Sequence, residues 1–270
     1  MYLLTFIFIF LLGTIIGSFL NVVIYRFNTG MPIANGRSIC MTCNRNLRWY
    51  ELIPLFSFLI QSGKCRRCAS QISHQYPLVE FGTGLIFALI AFKFLPLLYI
   101  SYSLYTAIVI LFIFIFSILI VISVYDLRHK IIPDKLVFIF IFISFLSIFI
   151  NYSGNGSFFK IPNLISLFSG PILAAPFVAL WFFSKGKLMG LGDGKLVLGM
   201  GWMLGLASGL CAVVMSFWIG TIISLPLMYM SKNKMNMKTE IPFAPFLIIS
   251  TLITFLLGLD IYSLVNLFSV

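Results

Sequence analysis

Two aspartates and four cysteines are the residues of this chain whose types and spacing could do chemistry. Asp126 stands in Val-Tyr-Asp-Leu-Arg and Asp193 in Gly-Leu-Gly-Asp-Gly-Lys, each where a long apolar run meets a short basic loop. The chain holds only seven acidic residues among 270. A carboxylate at a membrane boundary costs free energy, so both are candidate functional groups. A pair of carboxylates can divide acid and base between them. Close like charges cannot both ionise, so the pair shares a proton; one group activates water while the other protonates a carbonyl. The glycines around Asp193 allow close backbone approach to a second carboxylate or an extended peptide. Asp134, beside Pro133, competes with Asp126 for the first role or caps the next helix, and the residues alone leave that choice open. The plainer alternative is that each Asp is solvated beside Lys and Arg. His74 and His129 are read as solvated loop residues in no metal spacing.

Cys40-Met-Thr-Cys43 and Cys65-Arg-Arg-Cys68 are separated by 21 residues. Two Cys-x-x-Cys knuckles at this separation match a tetrahedral zinc site, because each spacing turns two sulfurs toward one ion. Basic neighbours favour thiolate over thiol. The alternative is a redox pair or incidental thiols. Four Cys ligands leave no open position for water, so the expected Zn2+ is structural and would fix a loop too small for its own core. Cys211 falls in an apolar run and is read as packing.

The elements that must position these groups are dictated by composition. The chain is 61% hydrophobic and 9% charged, with a mean hydropathy of +1.09. That excludes a soluble globular domain, which is about a quarter charged. The expected fold is an all-α polytopic membrane protein. A spanning helix needs roughly 20 apolar residues, and the sequence offers about eight such stretches: 2–25, 77–95, 97–124, 136–151, 161–184, two within 196–230 turning near 205–209, and 242–260. This gives a first transmembrane helix (1–25), a tetra-Cys loop (26–76) and a transmembrane core (77–270). The first 25 residues have neither a basic n-region nor a small-residue cleavage site, so they are expected to remain as a helix.

The net charge of +11 does not point to nucleic acid, because the cations fall in the gaps between apolar runs. With 26–76 in the cytoplasm and alternating spans, sixteen of the eighteen Lys and Arg are cytoplasmic, and only Lys93 and Lys160 are not. Positive charge marks that side. The same topology puts Asp126 and Asp193 at the cytoplasmic boundary.

The motifs, in chain order, resemble the type IV prepilin leader peptidases, bacterial membrane aspartyl proteases of the Gly-x-Gly-Asp class. The resemblance runs through Gly17-Ser-Phe-Leu-Asn-Val-Val-Ile-Tyr-Arg26, the two Cys pairs, Glu51-Leu-Ile-Pro54 and Tyr76-Pro-Leu-Val-Glu80. It continues through Asp126 with Ile132-Pro-Asp134, Gly190 to Lys195, and Ile241-Pro-Phe-Ala-Pro-Phe246. It implies that Asp126 and Asp193 are the catalytic dyad and that Asp134 supports them. It also implies cleavage of prepilin or pseudopilin leaders after a glycine, at the cytoplasmic face of the inner membrane. Many members N-methylate the new terminus with S-adenosylmethionine, an activity associated with the loop carrying the cysteines. Glu51 and Glu80 are candidates to contact an amine there, or are structural. The implied partners are the substrate helix with its leader and the membrane lipid. One departure is visible: Ala244 stands where the late motif has glycine, a change expected to leave both aspartates untouched. The rival readings are a non-enzymatic transporter or assembly subunit with a zinc-stapled loop, and a peptidase without methylation.

Overall fold

The structure is a computed structural model that describes residues 2–33, 36–151, 158–230 and 242–268. The basic stretch 231–240 and most of the turn 152–160 therefore lie outside the described residues. Among the described residues the chain is helical, with three isolated bridges and no strand. Runs of Phe, Ile and Leu leave the backbone no water to bond, and a helix satisfies its own N–H and C=O groups. Five helices are long and apolar enough to cross a membrane: Leu3–Arg26, Gln75–Lys93, Tyr102–His129, Leu164–Ser184 and Leu206–Pro226. The chain is a multi-pass membrane protein.

The chain divides into two compact units, 1–121 and 122–270. In the first, α1 (Tyr2–Arg26) packs against α3 (Gln75–Lys93). Small residues set their approach. A Cβ on Gly13 would lie 2.7 Å from the Cα of Gly84, and one on Gly17 would lie 2.8 Å from the Cα of Glu80. This is the Gly-x-x-x-Gly logic of membrane helix pairs, where close backbones replace a hydrophobic driving force. Asn21, fully buried, donates to the Tyr76 carbonyl at 3.2 Å, and the Tyr25 and Tyr76 rings stack at 5.1 Å. Between these helices lie a short 3-10 turn (Trp49–Leu52), α2 (Phe56–Ile60) and the cysteine knuckles. After α3 come the short α4 (Leu95–Leu98) and α5 (Tyr102–His129), whose last turns from Ile122 belong to the second unit.

The second unit continues with α6 (Asp134–Ser147), α7 (Leu164–Ser184), α8 (Leu191–Leu204), α9 (Leu206–Met230), α10 (Ala244–Leu257) and α11 (Ile261–Phe268). The expected break inside 196–230 falls at Gly205, whose φ of 82° ends α8 and starts α9. α8 packs on α6, α7 and α9, and glycines make this possible. A Cβ on Gly201 would lie 2.7 Å from the Cα of Gly170 on α7, and one on Gly199 would run into the Phe140 ring of α6. Ser169 adds a hydrogen bond of 2.8 Å to the Gly201 carbonyl. The helices α6, α8 and α10 have 14 residues each, which is about 21 Å of rise against a hydrocarbon core of roughly 30 Å.

Candidate active site and cysteine cluster

Asp126 sits in the last turn of α5 and Asp193 in the first turn of α8. Both are buried, at 4% and 9% exposure. Both line one cavity of about 660 Å³ in the second unit, together with the 130–134 loop, residues 186–192, and Pro242 and Phe243. The pair is close enough for the charge of Asp126 to act on Asp193. Asp193 Oδ1 is buried with no hydrogen-bond partner among the described residues. Buried acceptors are normally satisfied, so an orphan carboxylate oxygen on a polar cavity suits a water or a substrate group. Asp126 differs in that the backbone N–H of Ala244 is directed at its carboxylate.

The local folding follows from the glycines and prolines. Gly190 precedes α8 in an extended conformation with its Cα bare beside Asp193: a Cβ there would be 4.0 Å from Asp193 Oδ2. Gly192 lets the first turn of α8 approach the 130–134 loop, because its Cβ would lie 2.9 Å from Ile132 Cβ. Pro133 then starts α6.

Asp134 is separated from Asp126 by environment. Its side chain is 61% exposed and pairs with Lys195 Nζ at 2.7 Å. The Lys195 ammonium also lies 5.2 Å from the centre of the Phe138 ring. Asp134 does not cap α6; the cap position is Pro133, and Asp134 follows it. Ala244 is fully buried at the start of α10, where its backbone N–H is directed at the Asp126 carboxylate. Its backbone is helical, so the methyl group brings no strain. Sequence reasoning had no signal for the Ala244 contact beyond the motif itself, and none for the Asp134–Lys195 pair. His74 and His129 are exposed, against Phe58 and Tyr125 respectively.

In the first unit the four cysteines converge: their sulfurs all lie within 4.8 Å of one another and could hold a metal ion. The knuckles repeat each other. Cys40 N–H bonds to the Arg45 carbonyl and Cys65 N–H to the Ser70 carbonyl, both at 2.9 Å. Asn44 and Ala69 occupy the same place in each turn, with φ of 52° and 55°. The set fits tetrahedral zinc, whose bonds of about 2.3 Å place sulfurs about 3.8 Å apart; Cys40 and Cys68 are 3.9 Å apart. The Cys43 N–H pulls the Cys40 thiol down to about 6, and the Ser70 hydroxyl, 3.1 Å from its sulfur, lowers Cys68.

Both glutamates of the first unit accept backbone N–H groups. Glu51 is buried, paired with Arg45 at 2.6 Å, and accepts the Arg48 N–H at 2.8 Å. Burial opposes its ionisation, but these donors outweigh that and hold it below the usual carboxylate range. Glu80 accepts the Leu55 N–H at 2.8 Å.

Residues 11–94 match the bacterial peptidase A24 N-terminal domain, and residues 113–225 match the type IV leader peptidase family. The prepilin leader peptidase/N-methyltransferase of Bacillus subtilis is 31% identical over 94% of this chain and 95% of its own. The chain belongs to this family. Within the type IV leader peptidases, similar proteins of the same description include that of Stutzerimonas stutzeri, 30% identical over 92% of this chain and 89% of its own. The one from Vibrio cholerae is 29% identical over 91% and 94%. No solved structure matches the chain.

Proposed function

We propose that the chain is a membrane aspartyl endopeptidase that removes leader peptides from prepilins or pseudopilins after glycine, with Asp126 and Asp193 as its dyad. One observation carries the reading: two buried carboxylates share a cavity, and one of them has an unpartnered oxygen. With one proton between them, the ionised carboxylate takes a proton from a water as its oxygen attacks the scissile carbonyl. The protonated partner gives its proton to the carbonyl oxygen. The resulting gem-diol collapses: one hydroxyl returns its proton to the ionised carboxylate as the C=O forms, the C–N bond breaks, and the departing amine takes the proton of the other carboxyl, which leaves the dyad with one proton again. The Ala244 N–H faces Asp126, and the Asp134–Lys195 pair ties the start of α6 to the first turn of α8.

The cytoplasmic face is the proposed side of the dyad and of the 26–76 module, supported by the sixteen cations of that topology. The helices α6, α8 and α10 would complete about eight spans. Cys40, Cys43, Cys65 and Cys68 would hold a structural Zn2+, which supplies a cross-link between the two knuckles. N-methylation of the new terminus is the second activity, as the relatives' names state. S-adenosylmethionine would supply the methyl group; Glu51 is paired with Arg45, and Glu80, which accepts one backbone N–H, keeps acceptor capacity for an amine.

The test is incubation of the purified chain with a peptide spanning a prepilin leader junction, read by mass. Wild type is expected to cut after glycine and, with the methyl donor, to add a methyl group to the new amine. Asp193→Asn, still folded, loses roughly a thousandfold or more of the rate. Full cleavage by that variant overturns the assignment.

A further inference from the structure

The loop between α1 and α3 carries apolar residues that neither its own fold nor the cysteine cluster covers. Trp49 is 77% exposed, Leu59 72%, Ile60 71% and Phe56 59%. Leu52 and Ile53 are also exposed. Phe56, Leu59 and Ile60 stand at i, i+3 and i+4 and so share one side of the short α2 segment, and Leu52 and Ile53 precede it in the chain. A soluble loop with this surface would be an aggregation hazard, and such a patch marks an interaction site.

The depth of the segment is fixed by a hydrogen bond. Leu55, in an unusual backbone conformation with φ of 60°, donates its N–H to Glu80 at 2.8 Å. Glu80 lies five residues inside the membrane-crossing helix α3 and faces Gly17, nine residues before the end of α1. Five residues are about 7 Å of helix rise, which is about the depth of one headgroup layer. So the turn is tied to the helix pair at the level where that pair enters the bilayer. In the first turns of α3, on either side of Glu80, Leu78 and Phe81 are likewise 69% and 51% exposed. Toward the cysteine knuckles the chain changes character: Lys64, Arg66 and Arg67 are all exposed. Arg66 also lies 5.1 Å from the centre of the Tyr50 ring, next to Trp49. Apolar side chains below, an aromatic pair at the level of the headgroups and cations above make an interfacial anchor for an anionic leaflet.

We infer that the Trp49–Ile60 segment is a membrane-interface anchor, seating its apolar side chains among the lipid headgroups and upper acyl chains and its cations on anionic lipid. It holds the cysteine module down on the bilayer surface. This inference depends only on the chain spanning a membrane and not on the peptidase assignment.

The experiment uses the full chain in nanodiscs of phosphatidylcholine and phosphatidylglycerol, with fluorescence of wild type compared with Trp49→Phe. The difference isolates Trp49 from the other tryptophans. Lipid brominated near the glycerol end of its acyl chains is expected to quench roughly half or more of that component, while aqueous iodide leaves it largely untouched. The double variant Leu59→Glu with Ile60→Glu, still monodisperse, is expected to lose the lipid quenching and gain iodide quenching. A Trp49 component open to iodide and blind to brominated lipid overturns the inference. Protection from both quenchers also overturns it, and would show that protein, a substrate helix or a second copy, covers the patch.

Discussion

At the scale of residues, the site rests on contacts that differ in kind between acids of the same chemistry. Asp126 and Asp193 are buried on one cavity, whereas Asp134 is solvated and paired to Lys195. The sequence places all three beside basic loops, and only the resemblance favours Asp126 over Asp134. Burial is what local sequence does not reveal, because it depends on α8 arriving from another part of the chain. Gly192 gives a test of that arrival. A methyl group there meets the branched Cβ of Ile132 at 2.9 Å, an atom that cannot swing away. Gly192→Ala is therefore expected to slow cleavage about tenfold or more, since overpacking costs about 1–3 kcal/mol. Adding Ile132→Ala should restore part of the rate. No rescue in a folded double variant would remove this contact from the account. Among the cysteines, the thiol drawn down to about 6 is Cys40. Thiolate is the reactive form, so lowering the value extends reactivity to lower pH. In metal-free protein, alkylation of Cys40 should be half-maximal near pH 6, and in unfolded protein near about 8.5. Equal profiles, resolved by peptide mass, would contradict the structure of the knuckle.

At the scale of elements, glycine replaces large side chains wherever helices must touch. α8 carries glycines that would cost a soluble helix about 1 kcal/mol each, yet Gly201 and Gly170 bring α8 and α7 into backbone contact. Gly201→Leu is expected to lower the thermal midpoint in detergent by several degrees, because its Cβ would stand 2.7 Å from the Cα of Gly170, which has nowhere to move. An unchanged midpoint would place these helices farther apart. Most elements were legible in the sequence, since apolar runs bounded by basic loops have few alternatives. The break in 196–230 was legible because Gly205 to Gly209 interrupts a run too long for one span. Helix α6 was drawn as 136–151 and runs Asp134–Ser147; Pro133 starts it and local turn chemistry ends it, which hydropathy does not register. The 3-10 turn and α2 lie inside the stretch expected only as a tetra-Cys loop. Their apolar residues are few, so averaging over the loop conceals them.

At the scale of the whole molecule, the proposed orientation rests on the distribution of charge. A membrane-impermeant thiol reagent, applied after chelator treatment, should label exposed Cys68 in inside-out vesicles and leave it unlabelled in intact cells. The reverse pattern would invert the topology and move the dyad to the other face.

The central claim is that Asp126 and Asp193 act as one unit on one water. The most direct measurement is leader cleavage by Asp126→Asn, Asp193→Asn and the double variant, each confirmed as folded. Residues that act together are strongly non-additive, so the account expects the double variant to be no slower than either single one. Losses that multiply, or appreciable cleavage by either single variant, would contradict it.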